Sequence, residues 1–339
     1  GVEILLRDAH GRIKGKYEEG IHDIDPVSGK DLTLSIDIDL QAYGEELMQN
    51  KLGAIIAIQP KTGEVLCMVS SPSYDPSLLV GRQFAANYFD LIKDPYKPLL
   101  HRAMDGQYPP GSTFKPAQGL TLLQEGIINV NTAYSCLGRA NKPGCHGHYS
   151  PISLIPALST SCNGYFATGF KAMVDNKKYG SPQVGIDKWR DYMVAQGFGY
   201  RLGVDLPGEK RGLIPNSEYY VTMYKDRNGK SWWRASTIVS NSIGQGEVLL
   251  TPIQICNLAA TIANRGQYTV PHVVKEIDGV PLDSAYRFPT YTGIDRRYYE
   301  YVVAGMRGAV TEGTCHKANI PDIAVCGKTG TAENIGQDH

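Results

Sequence analysis

Three short motifs, far apart but in a fixed order, constrain this chain more than any other feature: Ser112-Thr113-Phe114-Lys115, Ser161-Cys162-Asn163 and Lys328-Thr329-Gly330. Each is weak alone. Ser and Lys three residues apart are common, and Asn163-Gly164 is an ordinary helix-end or turn signal. Gly327-Lys328-Thr329 also ends a phosphate-binding loop, but Asp322 stands where that loop needs its first glycine. Together and in this order they form a serine acyl-transfer motif set. A chain that uses them must bring residues 112, 161 and 328 to one place.

The chemistry assigns a role to each residue. Pro109-Pro110-Gly111 ends one segment and lets a helix start at Ser112, so that Ser112 and Lys115 lie one turn apart on the same face. A serine hydroxyl is a poor nucleophile at neutral pH, and a lysine desolvated enough to be neutral can serve as its base. Ser161 would relay a proton between Lys115, Ser112 and the leaving amine, while Asn163 holds Lys115 and a substrate amide. Lys328 would attract a substrate carboxylate, Thr329 would offer a hydroxyl, and Gly330 would leave the strand edge open. The backbone N–H of Thr331, with that of Ser112, would form the oxyanion hole.

Composition narrows the partners. With 34 basic and 34 acidic residues the chain carries no net charge and has no dense basic stripe, which argues against nucleic acid. Hydrophobic residues make up 42%, the balance of a chain that folds in water, and no run of about 18 apolar residues could span a bilayer. Seven cysteines are too few to build a disulfide framework in 339 residues. Cys67, Cys256, Cys315 and Cys326 read as packing residues.

Along the chain, residues 1 to 36 read as short strands and turns, including Val2–Leu6 and Asp31–Ile36. Asp37 or Asp39 would cap a helix reaching about Leu52, followed by a hairpin of Ala54–Ile58 and Val65–Val69. The stretch from Tyr108 to about Ala263 is mostly helical, and Ile323 to Glu333 returns to a strand. Trp232-Trp233 and the many tyrosines read as core or rim packing.

With these residues in hand, the chain resembles the class B penicillin-binding proteins, and among them the elongation-specific type called penicillin-binding protein 2. The similarity runs through Gly53–Pro76, Tyr108–Pro116, Gly203–Glu209, Gly244-Gln245-Gly246, Thr251–Gln254 and Lys328–Glu333. It implies an α/β fold of α+β type, the serine penicillin-recognising transpeptidase fold, whose central, mostly antiparallel sheet has helices on both faces. Residues 1–36 would be the last part of a small β-rich pedestal. Residues 37–339 would be the transpeptidase domain, truncated at its C-terminal end because the family's sheet continues past the Lys-Thr-Gly strand. The implied activity cross-links peptidoglycan stem peptides from their D-Ala-D-Ala ends through a Ser112 acyl-enzyme, with β-lactams as covalent inhibitors. The implied setting is the periplasm of a bacterial cell, on the inner membrane through a single N-terminal anchor outside this chain. A membrane glycan polymerase of the elongation machinery would be its partner. A serine β-lactamase, a β-lactam sensor and a D,D-carboxypeptidase share the three motifs and stand as alternatives.

Cys136, Cys145, His148 and Cys162 have the residue types of a closed structural zinc site, with His146 in reserve. Cys162 is the middle residue of Ser161-Cys162-Asn163, so zinc would fix the loop that carries the motif and take no part in the chemistry. Penicillin-binding protein 2 relatives are similar in carrying zinc here. A Cys136–Cys145 disulfide and unliganded loop residues are the alternatives.

Overall fold

The computed structural model describes residues 1–332, which divide into two compact units: residues 1–34 with 274–282, and residues 35–273 with the chain from Asp283 onward. Among the described residues the strands are β1 Leu5–Arg7, β2 Ile13–Lys16, β3 Leu32–Leu34, β4 Gly53–Ile58, β5 Val65–Ser71, β6 Gln267–Tyr268, β7 Val274–Ile277, β8 Val280–Pro281 and β9 Thr290–Tyr291. The α-helices are α1 Ile38–Leu47, α2 Phe84–Lys93, α3 Lys115–Gln124, α4 Leu154–Ser159, α5 Asn163–Val174, α6 Pro182–Ala195, α7 Ser217–Met223, α8 Pro252–Ala263 and α9 Arg296–Thr311. No helix among the described residues is long and apolar enough to cross a membrane.

The small unit holds an antiparallel β1–β2 hairpin and a three-stranded antiparallel sheet in the order β3, β7, β8. The stretch expected as a strand over Asp31–Ile36 is a strand only over Leu32–Leu34, where it pairs with β7 with a register slip between Thr33 and Leu34.

In the large unit, Asp37 caps α1 by accepting hydrogen bonds from the backbone N–H groups of Asp39 and Leu40 at 3.1 and 3.0 Å. The helix stops at Leu47 rather than Leu52, since Asn50 takes a left-handed conformation and turns the chain into β4. The β4–β5 hairpin is antiparallel, and alternate residues of β5, Val65, Cys67, Val69 and Ser71, are buried. Helix α1 packs on β5 and α8 on β4, so the expected antiparallel sheet lies between helices, as a two-stranded hairpin.

The main core surrounds α3. Nine of its ten residues, Lys115 to Leu123, are buried, the pattern of a helix covered on all sides. Helices α5, α6 and α9 supply the cover, and Phe114, Phe170, Trp189 and Phe198 interlock at the helix's start. Each such enclosed side chain contributes roughly 1.5–3 kcal/mol of burial. Trp233 is buried against Tyr220, whereas Trp232 stays on the surface beside Tyr224.

The strand expected from Ile323 onward is absent among the described residues. Ile320 and Ile323 form a single bridge, and residues 324–332 run without a strand partner. Their polar groups go elsewhere: Arg307 of α9 donates to the carbonyl of Val325 at 2.9 Å, and Gly327 N–H donates to the carbonyl of Met306 at 3.1 Å. Glu333, the last residue of that expected strand, lies outside the described residues.

Candidate active site

Ser112 sits in a single turn of 3-10 helix, Gly111–Phe114, that feeds directly into α3, so Lys115 is the first residue of the α-helix rather than its fourth. The turn is tight because other backbone passes beside it. Gly111 has φ +56, and a Cβ there would lie 2.5 Å from the carbonyl oxygen of Thr331 and 3.2 Å from its nitrogen. The missing side chain thus lets the backbone of Thr331 lie against the residue preceding Ser112, as an oxyanion hole built from those two N–H groups requires.

Ser161 lies in the turn between α4 and α5 with φ +58, a region few non-glycine residues adopt. The turn directs both its carbonyl and its hydroxyl at one amine. Lys115 Nζ donates to Ser161 O at 2.7 Å, to Ser161 Oγ at 3.1 Å and to Asn163 Oδ1 at 2.5 Å. Asn163 is anchored in turn by its Nδ2, which donates to the carbonyl of Gly144 at 2.6 Å. Lys328 Nζ reaches the same hydroxyl, donating to Ser161 Oγ at 2.8 Å. The residue expected to face a substrate carboxylate therefore also joins the proton-carrying group of the second motif.

Burial sets the electrostatics. Lys115 is enclosed, and its pKa is pushed down to about 7, first by desolvation and then by the charge of Lys328. Lys328 is lowered to about 8, again by burial. An amine at about 7 is neutral often enough at physiological pH to take a proton from a neighbouring hydroxyl. Ser112, Ser161, Asn163, Thr329 and Thr331 line one cleft of about 240 Å³, joined by His146, Ile243, Gln245 and Thr314.

Three of those neighbours, Ile243, Gln245 and Thr314, were not singled out from the sequence as site residues. Gln245 Nε2 donates to the carbonyl of Thr331 at 3.3 Å, and its signal was the Gly244-Gln245-Gly246 loop. Thr314 accepts from Thr329 Oγ1 at 3.0 Å, and nothing local marks it. Gly330 packs against the first motif, where a Cβ would meet Thr113 Cγ2 at 2.8 Å.

Beside this cleft, ligand atoms of Cys136, Cys145, His148 and Cys162 all lie within 4.8 Å of one another. All seven cysteines are free, so no Cys136–Cys145 disulfide forms. The surroundings suit thiolates and a metal. Asn163 N–H donates to Cys145 Sγ at 3.2 Å, Tyr165 N–H to Cys162 Sγ at 3.3 Å, and Asn141 Nδ2 to Cys136 Sγ at 2.8 Å. His148 Nδ1 donates to the carbonyl of Tyr149 at 2.7 Å, which leaves its Nε2 lone pair facing Cys145 Sγ at 3.4 Å. The Cys145 thiol is acidified by these donors, the Cys162 thiol foremost, while Cys162 is pushed up by the same contact and by burial. The group thus fits a tetrahedral metal with no open position. His146 is not part of it: the ring is exposed and lines the cleft. Of the four cysteines read as packing residues, Cys67 is buried and Cys256 and Cys315 are partly so, but Cys326 is exposed.

An enclosed Ser-x-x-Lys on an α3 start, joined to a Ser-x-Asn turn and a Lys-Thr-Gly segment, defines a class of serine acyl-transferase. The chain belongs to the penicillin binding protein transpeptidase domain family, which it matches over residues 53–339. It is 35% identical to the peptidoglycan D,D-transpeptidase MrdA of Acinetobacter baumannii, an alignment covering 98% of this chain and 48% of that protein. The chain spans about half the length of the curated relatives it matches. Among solved structures it is similar to Pseudomonas aeruginosa PBP2, with a TM-score of 0.73 and 34% identity over 86% of this chain and 63% of that one. It also resembles a chain of a peptidoglycan synthase complex that coordinates polymerization and crosslinking, with a TM-score of 0.76 and 30% identity over 98% of this chain and 57% of that one.

Proposed function

We propose that this chain is the catalytic part of an elongation-type peptidoglycan D,D-transpeptidase, acting through an acyl-enzyme on Ser112. The observation that carries the reading is the convergence of two pKa-lowered lysines, the buried Lys115 and the half-buried Lys328, on Ser161 Oγ beside Ser112. In the first half-reaction neutral Lys115 takes the proton of Ser112 as Oγ attacks the D-Ala carbonyl. The oxyanion rests on the N–H groups of Ser112 and Thr331. Ser161 passes the proton on to the leaving amine, and the peptide bond breaks to release D-Ala, whose carboxylate Lys328 and Thr329 hold. In the second half-reaction an amine of a neighbouring stem attacks the ester, gives up its proton along the same path and frees Ser112.

The Cys136, Cys145, His148, Cys162 group would hold a structural zinc, which supplies no chemistry on substrate and ties the Ser161 turn to the loop before it. Similarity to the synthase-complex chain supports a membrane glycan polymerase as partner. A peptidoglycan substrate would set the chain on the periplasmic side of the inner membrane, with residues 1–36, of which 1–34 fall in the smaller unit, belonging to a pedestal.

Intact-mass analysis of the full-length protein after incubation with a penicillin tests the reading. A long-lived adduct of one penicillin per chain, lost in Ser112→Ala, is expected. Rapid release of hydrolysed penicillin would make the protein a β-lactamase, and no adduct at all would leave a scaffold.

A further inference from the structure

The two N–H groups assigned to the oxyanion hole, on Ser112 and Thr331, belong to segments far apart in the chain, and such a hole works only if the spacing of its donors is held. The Thr331 side is the less supported one. Among the described residues Thr331 has no strand partner, and its main chain is held by one hydrogen bond, from the Gln245 side chain, whose Nε2 donates to the Thr331 carbonyl at 3.3 Å. The loop that carries Gln245 also holds the other side. Gly111 N–H, on the residue before Ser112, donates to the Gly244 carbonyl at 2.8 Å. Gly244 has φ +70, and a Cβ there would lie 2.4 Å from the Gly111 carbonyl oxygen, so a glycine is what lets the loop come this close.

Behind the cleft this loop is fixed in turn. It leaves a 3-10 helix, Val239–Ile243, and the N–H groups of Gly244 and Gln245 donate back to the carbonyls of Asn241 and Ser240, each at 3.1 Å. Residues 244 and 245 thus grip both halves of the hole, one through its backbone and one through its side chain. We propose that Gln245 is a positioning residue of the acyl transfer, which sets the distance between the N–H groups of Thr331 and Ser112 and so how strongly the hole polarises the carbonyl bound in it. The proposal rests on the reading of Ser112 and Thr331 given above. In this role Gln245 carries no proton and bonds to no reacting atom: its amide satisfies the carbonyl of Thr331, and the N–H of the same residue is left for the oxyanion.

Gln245→Ala and Gln245→Glu test this on the full-length protein, the second keeping the length of the side chain and losing its N–H donor. Gln245 is half-buried on the cleft wall, so both variants should fold. The probe is benzylpenicillin with a ¹³C label at its β-lactam carbonyl. The first readout is the rate constant of acylation at saturating penicillin, taken from the time course of the adduct, so that any loss of folded enzyme lowers only the amplitude. A donor misplaced by about 1 Å costs on the order of 100-fold, so a loosened Thr331 should slow Gln245→Ala about tenfold. Gln245→Glu should be slower still, because its carboxylate repels the Thr331 carbonyl. The second readout is the infrared stretch of the labelled ester carbonyl in the adduct. An oxyanion hole draws charge onto that oxygen and lowers the frequency, so the band should move up in both variants, toward that of a free ester. A band that stays at its wild-type position in both variants, whatever the rate, would overturn the role of Gln245 and leave Ser112 as the nucleophile. A wild-type protein that forms no adduct would instead overturn the assignment of Ser112, and this inference with it.

Discussion

At the scale of single residues, the proposed mechanism asks two lysines to keep different protonation states. Lys115 would lose its proton to act as base, while Lys328 would keep its own to attract a carboxylate. With Lys115 at about 7 and Lys328 at about 8, both conditions hold best between those values. The rate of acylation by a penicillin should therefore trace a bell, rising through about pH 7 and declining above about pH 8. A profile that stays level from about pH 6 to about pH 9 would contradict this assignment. The same shifts have a stability consequence. Both groups bind fewer protons folded than unfolded between their lowered values and the ordinary 10.5, so stability should rise with pH across that interval.

At the scale of elements, the turn between α4 and α5 is the part most dependent on its neighbours. It holds Ser161 at positive φ, presents Cys162 as the N-cap of α5, and sets Asn163 where it can reach Lys115. The cysteine cluster, with the hydrogen bond from Asn163 Nδ2 to the carbonyl of Gly144, ties this turn to the loop from Cys136 to His148. With zinc held as proposed, treatment with a chelator, or replacing Cys136 by Ser, should release one metal ion per chain by elemental analysis and lower the thermal midpoint. Penicillin acylation should slow by about 10–100-fold, because a small displacement of Ser161 and Asn163 misaligns the proton path. Full metal content in Cys136→Ser would remove that residue from the ligand set. The choice of His148 over His146 also belongs to this scale. Both lie in the same Cys-His-Gly-His run, but only His148 has its ring fixed by the Tyr149 carbonyl with a nitrogen toward the sulfurs.

At the scale of the whole large unit, one cleft is assembled from three points spread over more than two hundred residues. Ser112, Ser161, Thr329 and Thr331 line that cleft, so an adduct on Ser112 would lie among all three. Acylation should raise the thermal midpoint of wild-type protein by several degrees, with no such shift in Ser112→Ala. An adduct that forms without stabilising the fold would mean that the third motif does not close over it in solution.

What the sequence determined by itself was chemistry written in short spacings. Ser112 and Lys115 are one helical turn apart, Cys162 lies within Ser161-Cys162-Asn163, and Cys145 stands three residues before His148, so local geometry carries each signal. The α1 cap at Asp37 and the β4–β5 hairpin were legible for the same reason, since cap and turn residues act on the backbone beside them. Tertiary structure alone decided the rest. Strand β3 finds its partner β7 some 240 residues later; the segment after Ile323 hands its hydrogen bonds to α9 and Gln245 rather than to a neighbouring strand; Thr314 meets Thr329 with no local mark. Whether a lysine is a base or a surface charge was settled the same way. Burial and a second lysine lower the pKa of Lys115, and both come from parts of the chain that its own neighbourhood in the sequence does not contain.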